Sequence, residues 1–287
     1  MLVALLMLAI PIDLNQIVEP GSKVEKVSTG YIFTEGPAWR RDGKLIFSDI
    51  PGNKLHVLTG SEAAVYREPS GNANGNTIGP DGLLYTAHHG TRNVTRTNKD
   101  GSVTVVADKF EGKKLNSPND VVVRKNGDVY FTDPPYGLGR NQPELDFRGV
   151  FLLRKNGQLV ALGRDFTTPN GVVFSPDEKV CYVADTQRHH VRAFDVAKDG
   201  LFANGRMFAD NIPGSPDGMR VDVKGNLYVT AGGGIHVYDP KGAKLGLIEV
   251  PENPTNCGWG DKDAKTLYIT AQKSVYNIRC KIKGVRF

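Results

Sequence analysis

Residues 35–49 read EGPAWRRDGKLIFSD, and this stretch decides the fold. Glu35 opens a short apolar run, Asp42-Gly43 marks a turn, and KLIFSD returns as a second run ending at Asp49. Asp-Gly and Asn-Gly are strong hairpin signals, because the tight turn needs positive φ at its central residues. The same unit recurs five more times. Asn74, Asn119, Asn170, Asp217 and Asn256 stand directly before GNTI, DVVV, GVVF, GMRV and CGWG. Turns follow at Asp81-Gly82, Asn126-Gly127, Pro176-Asp177, Lys224-Gly225 and Asp261-Lys262-Asp263. The returning runs LLYTAH, VYFTD, VCYVAD, NLYVTA and TLYITA end at His88, Asp133, Asp185, Ala231 and Ala271. Their β-branched and aromatic residues suit a pleated, buried sheet.

Successive polar openings lie 39, 45, 51, 47 and 39 residues apart. That period leaves room for two further strands per unit, and four-stranded units of this length repeated around an axis define a β-propeller. The expectation is an all-β, six-bladed β-propeller with four-stranded antiparallel blades. Residues 17–30, with VYNIRC and KIKGV at the C-terminus, complete the last blade and close the ring. No linker or shift in composition interrupts residues 17–287, which are read as one domain.

The 287 residues are 39% hydrophobic and 23% charged, an ordinary balance for a chain that buries a core. The net charge of +5 is scattered, without basic clusters interleaved with aromatics, so no nucleic-acid partner is expected. Cys181, Cys257 and Cys280 have no metal-type spacing and read as small buried hydrophobes. Trp39 and Trp259 read as blade-packing aromatics. Met1–Ile10, MLVALLMLAI, is too short to span a bilayer, so no membrane partner is expected. It lacks the flanking Lys or Arg and the A-x-A site of a signal peptide. Residues 1–16 are therefore read as either a signal peptide or an N-terminal extension, which leaves periplasmic or secreted and cytoplasmic locations both open.

In an antiparallel hairpin the start of one strand and the end of its partner share an edge. Glu35 and its five equivalents should thus ring one mouth of the central channel, with Asp49, His88-His89, Asp133, Tyr136 and Asp185 nearby. A single Asn or Asp at a strand start ordinarily caps it or forms an Asx turn. Six oxygen-bearing side chains at one register are the ligand set of a hard divalent cation, Ca²⁺ first, with Mg²⁺, Mn²⁺ or Zn²⁺ as alternatives.

EGPAW, SPND, PNG and PDGM, in this order and spacing, resemble the regucalcin–gluconolactonase family, and ANGNTIGPDGLLYTAHHG with TDPPYG resembles its bacterial gluconolactonase branch. The resemblance covers the chain from about residue 27 onward. It implies that Glu35, Asn170 and Asp217 hold a divalent cation and that Asn119 faces substrate. It implies hydrolysis of a lactone, with the cation polarising the carbonyl and Asp217, or alternatively a hydroxide on the cation, activating water. Ser117 stands where animal members carry an Arg, which departs from their substrate-binding pattern. His88, Asp133 and Tyr136 are further expected substrate contacts. The alternatives are hydrolysis of other esters or organophosphates at the same site, or a calcium-binding propeller that binds a ligand or partner without catalysis.

Overall fold

The computed structural model describes residues 14–286. The reading of residues 1–16 falls largely outside them; Leu14–Gln16 form a single 3-10 turn. The described chain is almost entirely β-structure in six four-stranded antiparallel sheets. Blade 1 comprises Thr34–Trp39, Leu45–Asp49, Lys54–Thr59 and Glu62–Arg67; blade 2 comprises Ala73–Ile78, Leu84–His88, Asn93–Thr97 and Val103–Ala107. Blade 3 uses Val121–Val123, Val129–Asp133, Gly149–Leu153 and Leu159–Gly163; blade 4 uses Pro169–Phe174, Val180–Asp185, His190–Val196 and Phe202–Ala209. Blade 5 uses Met219–Val221, Leu227–Ala231, Gly234–Tyr238 and Lys244–Glu249. Blade 6 takes Pro254–Gly260, Thr266–Ala271 and Ser274–Arg279 from the C-terminal end and Glu25–Thr29 from the N-terminal end. Each blade's first strand contacts the first strands of both neighbours, so the six close into a propeller.

Closure differs from expectation in one element. Glu25–Thr29 pairs with Ser274–Arg279, whereas KIKGV forms no strand of the blade. The chain there runs across the channel end, with Gly284 in an isolated bridge to Asp222 and packed directly on the Trp259 indole. Lys283 and Gly284 contain too little apolar side chain to fill a blade position, and Trp259 offers a flat ring for them to cover.

The second strands are almost wholly buried because neighbouring blades cover both of their faces. Aromatic contacts span the blades: Tyr130 of blade 3 meets Phe174 of blade 4 edge-on at 4.8 Å, and Tyr228 of blade 5 meets Trp259 of blade 6 at 5.0 Å. The outer strands carry some of the exposed apolar residues, Val65, Val103, Val105 and Met207.

At the axis the blades approach backbone to backbone. A Cβ on Gly171 would collide with the Asp217 carbonyl oxygen, and one on Gly75 would lie 2.5 Å from the Asn119 carbonyl oxygen. Hydrogen bonds lace the same layer: Gly75 N donates to Asn119 O at 2.8 Å, Gly218 N to Thr255 O at 2.9 Å, and Ser48 Oγ to Asn74 O at 2.6 Å. Gly171→Ala should therefore destabilise the protein by about 1–3 kcal/mol through overpacking. The check is the denaturation midpoint, and an unchanged midpoint would contradict the close axial contact.

Candidate active site

The ring residues sit where the inner strands break register. The ladders of blades 1, 2, 4 and 6 skip between Glu35 and Ala38, Ala73 and Asn76, Pro169 and Val172, and Pro254 and Asn256. A bulge re-aims a side chain that regular alternation would send into the blade. In blades 3 and 5 the strand starts only after the ring residue, which frees Asn119 and Asp217 in the same way.

The ring's hydrogen bonds have a direction. Asn74 Nδ2 donates to Asn119 Oδ1 in a short contact, Asn119 Nδ2 to Asn170 Oδ1 at 2.9 Å, and Asn170 Nδ2 to Thr186 Oγ1 at 3.0 Å. Thr186 Oγ1 ends the series on the Pro216 carbonyl at 2.8 Å. Each of the Asn119 and Asn170 carbonyls thus receives one N–H and retains a second lone pair. Asn74 Oδ1 is buried and has no hydrogen-bond partner among the described residues. Asn256 is different: its Oδ1 accepts from Cys257 N at 2.9 Å, while its Nδ2 donates to Glu35 Oε2 at 3.0 Å. Asn256 orients Glu35, and its oxygen is turned to the backbone of its own strand.

Glu35 Oε2 also accepts from Gly36 N at 2.7 Å, and Oε1 has no hydrogen bond to a described residue. Burial raises the Glu35 pKa to about 7, with the Asp120 carboxylate adding to the rise against the Asn256 hydrogen bond. Asp217, half-buried at the ring, is pushed well above the usual carboxylate range by burial, then by Glu35 and Asp120. Two carboxylates that oppose each other's ionisation, with amide oxygens beside them, form a hard-oxygen cradle. The donor set of Glu35, Asn170 and Asp217 fits a divalent cation, which would relieve that repulsion.

The expected substrate contacts separate. Asn119 lies in the ring as described. Tyr136, on the turn Tyr136–Leu138, is 45% exposed, and its pKa is raised by burial, while Thr186, Thr168 and Asn170 act on its hydroxyl in the opposite direction. That places its hydroxyl over the ring. His88 does not reach the mouth. Its Nδ1 bonds Ser70 O and its Nε2 bonds Thr95 Oγ1, both at 2.8 Å, in the interior of blade 2. Strand alternation sends His88 inward and leaves its successor at the rim. His89 Nε2 lies 2.9 Å from Asn74 Nδ2, with its ring 6.2 Å from that of Tyr136. Burial lowers the His89 pKa to about 4, so the ring is neutral, and the Asn74 contact assigns its proton to Nδ1.

Asp133 is also turned from the mouth. Its oxygens accept from Asn116 N at 2.8 Å and Ser117 N at 2.7 Å. Asp49 clamps Phe33 N and Asp185 clamps Thr167 N and Thr168 N in the same manner. These aspartates fix the loop that enters each inner strand. Burial raises the Asp133 pKa to about 7.

Sequence reasoning missed Asp120 and Arg220. Glycine follows the ring residue at Gly36, Gly75, Gly171 and Gly218, but Asp120 and Cys257 occupy that place in blades 3 and 6. The departure from the repeated glycine was the available signal. Asp120 is 1% exposed, accepts from Val121 N at 3.0 Å and Val172 N at 3.2 Å, and lies 3.9 Å from Arg220 Nη1. Burial raises its pKa, with Arg220 the foremost opposing influence.

Fold and site together define a six-bladed propeller with an oxygen-lined ring at one channel mouth. The family model described as "SMP-30/Gluconolactonase/LRE-like region" matches residues 33–273, and the chain belongs to that family. A gluconolactonase of Zymomonas mobilis is 34% identical, over 94% of this chain and 85% of its own. Regucalcin of Oryctolagus cuniculus is 29% identical over 83% of each chain. The solved structure of a gluconolactonase from Xanthomonas campestris superposes with a TM-score of 0.88 at 31% identity, covering 93% of this chain and 92% of that one.

The raised carboxylate pKa values determine how stability depends on pH. The folded state holds protons on Glu35 and Asp217 that the unfolded chain releases near its ordinary value of 4.5 for Glu. The contribution of Glu35 and Asp217 to the stability of the cation-free protein should therefore fall as pH rises from about 4.5 to about 7, against the opposite slope of the buried neutral His88 and His89. Added Ca²⁺ should remove the part due to Glu35 and Asp217, leaving the part due to Asp133. Melting curves across this range, with and without Ca²⁺, check it; identical slopes would contradict a cation at the ring.

Proposed function

We propose that this chain is a divalent-cation-dependent lactonase acting on a polar lactone such as a sugar lactone. Membership of a gluconolactonase-like family makes a hydrolase of the lactonase class the starting point. The observation that carries the finer reading is the convergence of Glu35 and Asp217 with the Asn170 oxygen, which keeps one lone pair free, at one mouth. Glu35, Asn170 and Asp217 would hold the cation, which when bound supplies Lewis-acid polarisation of the lactone carbonyl. Ca²⁺ suits the all-oxygen set best.

The chain's own residues account for the rest. Asp217, at the ring beside Asn170, accepts a proton from the attacking water. Water oxygen bonds to the carbonyl carbon, the ring C–O bond breaks, and Asp217 returns the proton to the departing oxygen. Asn119 Nδ2 donates one N–H to Asn170 and keeps the other for a substrate oxygen. His89 Nδ1–H and the Tyr136 hydroxyl stand at the rim as hydroxyl-recognising groups, which favours a polyhydroxylated substrate over a plain ester. Asn256 holds Glu35 in orientation.

Asp217→Asn should lower kcat for gluconolactone on the order of 10²–10⁴-fold, the usual span for a lost proton-transfer group. Glu35→Gln should weaken cation binding and abolish turnover at low Ca²⁺, with circular dichroism unchanged in both variants. Full activity in either variant, or after exhaustive chelation, would overturn the assignment. His89→Ala should lower kcat/KM by about tenfold, the equivalent of one hydrogen bond. His88→Ala should act on the melting temperature instead. The reverse pattern would return the substrate contact to His88.

A further inference from the structure

The other end of the channel holds a second cavity, of about 530 Å³. It lies at the far ends of the inner strands, at Trp39, Ile78, Phe174 and Trp259, about four residues from the ring, or roughly 13 Å at strand rise. Its walls are largely apolar, yet Arg40, Arg41, Arg220, Lys262 and Arg286 line it against only Asp42 and Asp261. Both acids are engaged. Asp42 pairs with Arg40 at 3.0 Å, and Asp261 accepts from Tyr268 Oη at 3.1 Å and from Thr266 Oγ1.

Arg220 is the decisive group. Its side chain is 15% exposed, and Nη1 donates to the Met219 carbonyl at 2.7 Å. The 3.9 Å separation from Asp120 is too long for a hydrogen bond. Nε and Nη2 therefore have no hydrogen-bond partner among the described residues. A guanidinium has five N–H donors, and those not spent on the Met219 carbonyl are open to the cavity and available to a ligand. An apolar chamber with an under-used guanidinium in its wall and a cationic rim is complementary to an amphipathic anion.

We propose that this cavity binds a small organic carboxylate with an apolar body, its carboxylate on Arg220 and its hydrocarbon against Trp39 and Ile78. The site is separate from the oxygen ring and does not depend on the lactonase reading. The chain has two tryptophans, and both line this cavity, so their emission reports on it directly.

Octanoate should change tryptophan fluorescence saturably and bind at least about tenfold more tightly than 1-octanol, which has the same tail without the charge. The double variant Asp120→Asn/Arg220→Met removes the carboxylate's partner without leaving an unpaired buried charge. It should bind octanoate at least about tenfold more weakly. Thr77→Phe, which crowds the wall and leaves the Asp120–Arg220 pair in place, should weaken it as well, and remains informative if the double variant fails to fold. Glu35→Gln, which removes a carboxylate that Arg220 acts on, should not weaken octanoate binding. Equal binding of octanol and octanoate would overturn the proposal. So would undiminished octanoate binding in the folded double variant or in Thr77→Phe, or its loss in Glu35→Gln.

Discussion

Everything at the functional mouth depends on how closely the six inner strands approach one another at the axis. The contact of Gly171 with the Asp217 carbonyl, and of Gly75 with that of Asn119, leaves no room for a Cβ between blades. Neighbouring ring residues are therefore held by backbone packing and by bonds such as Gly75 N to Asn119 O. The side chains just before these glycines are displaced from the sheet faces by bulges and converge on the axis. Rigid backbone supplies the preorganisation that a site of polar groups in a low-dielectric setting requires.

Within that frame the ring is chemically unequal. The donation from Asn74 through Asn119 and Asn170 to Thr186 aligns amide oxygens that still have acceptor capacity. Asn256 spends its oxygen on the backbone and its nitrogen on Glu35, and serves the carboxylate without joining it. Glu35 and Asp217 face each other across this amide arc and hold protons more tightly than isolated carboxylates do. The Arg220 guanidinium, which sits beneath the ring beside Asp120, acts on Glu35. The proposed cation would complement this asymmetry.

Much of this was legible in the sequence, for a physical reason. Hairpins with Asp-Gly or Asn-Gly turns carry a local signature, and the ends of the second strands at Asp49, His88, Asp133, Asp185, Ala231 and Ala271 are those of the structure. The oxygen-bearing openings were recognisable because a repeated core has no use for them. What stayed hidden depended on side-chain direction at strand ends. His88 and His89 are adjacent, and only the pleat decides which one enters the blade. Asp133 was drawn to the loop N–H groups at its own edge, a role that Asp49 and Asp185 repeat. Asp120 was hidden for the opposite reason: it looked like part of a strand, although it stands where four blades have glycine. The C-terminal KIKGV resembled a strand in its apolar content, but Glu25–Thr29 already pairs along the outer edge of Ser274–Arg279.

The central claim is that Glu35, Asn170 and Asp217 form one cation site at the channel mouth. Diffraction from crystals soaked in Mn²⁺, recorded for anomalous scattering, tests it without reference to any reaction. The account predicts one strong anomalous peak at the axis within coordination distance of oxygens from all three side chains, absent in Glu35→Gln crystals treated alike. A peak away from these oxygens, or none at the ring while the crystals take up Mn²⁺ elsewhere, would contradict it.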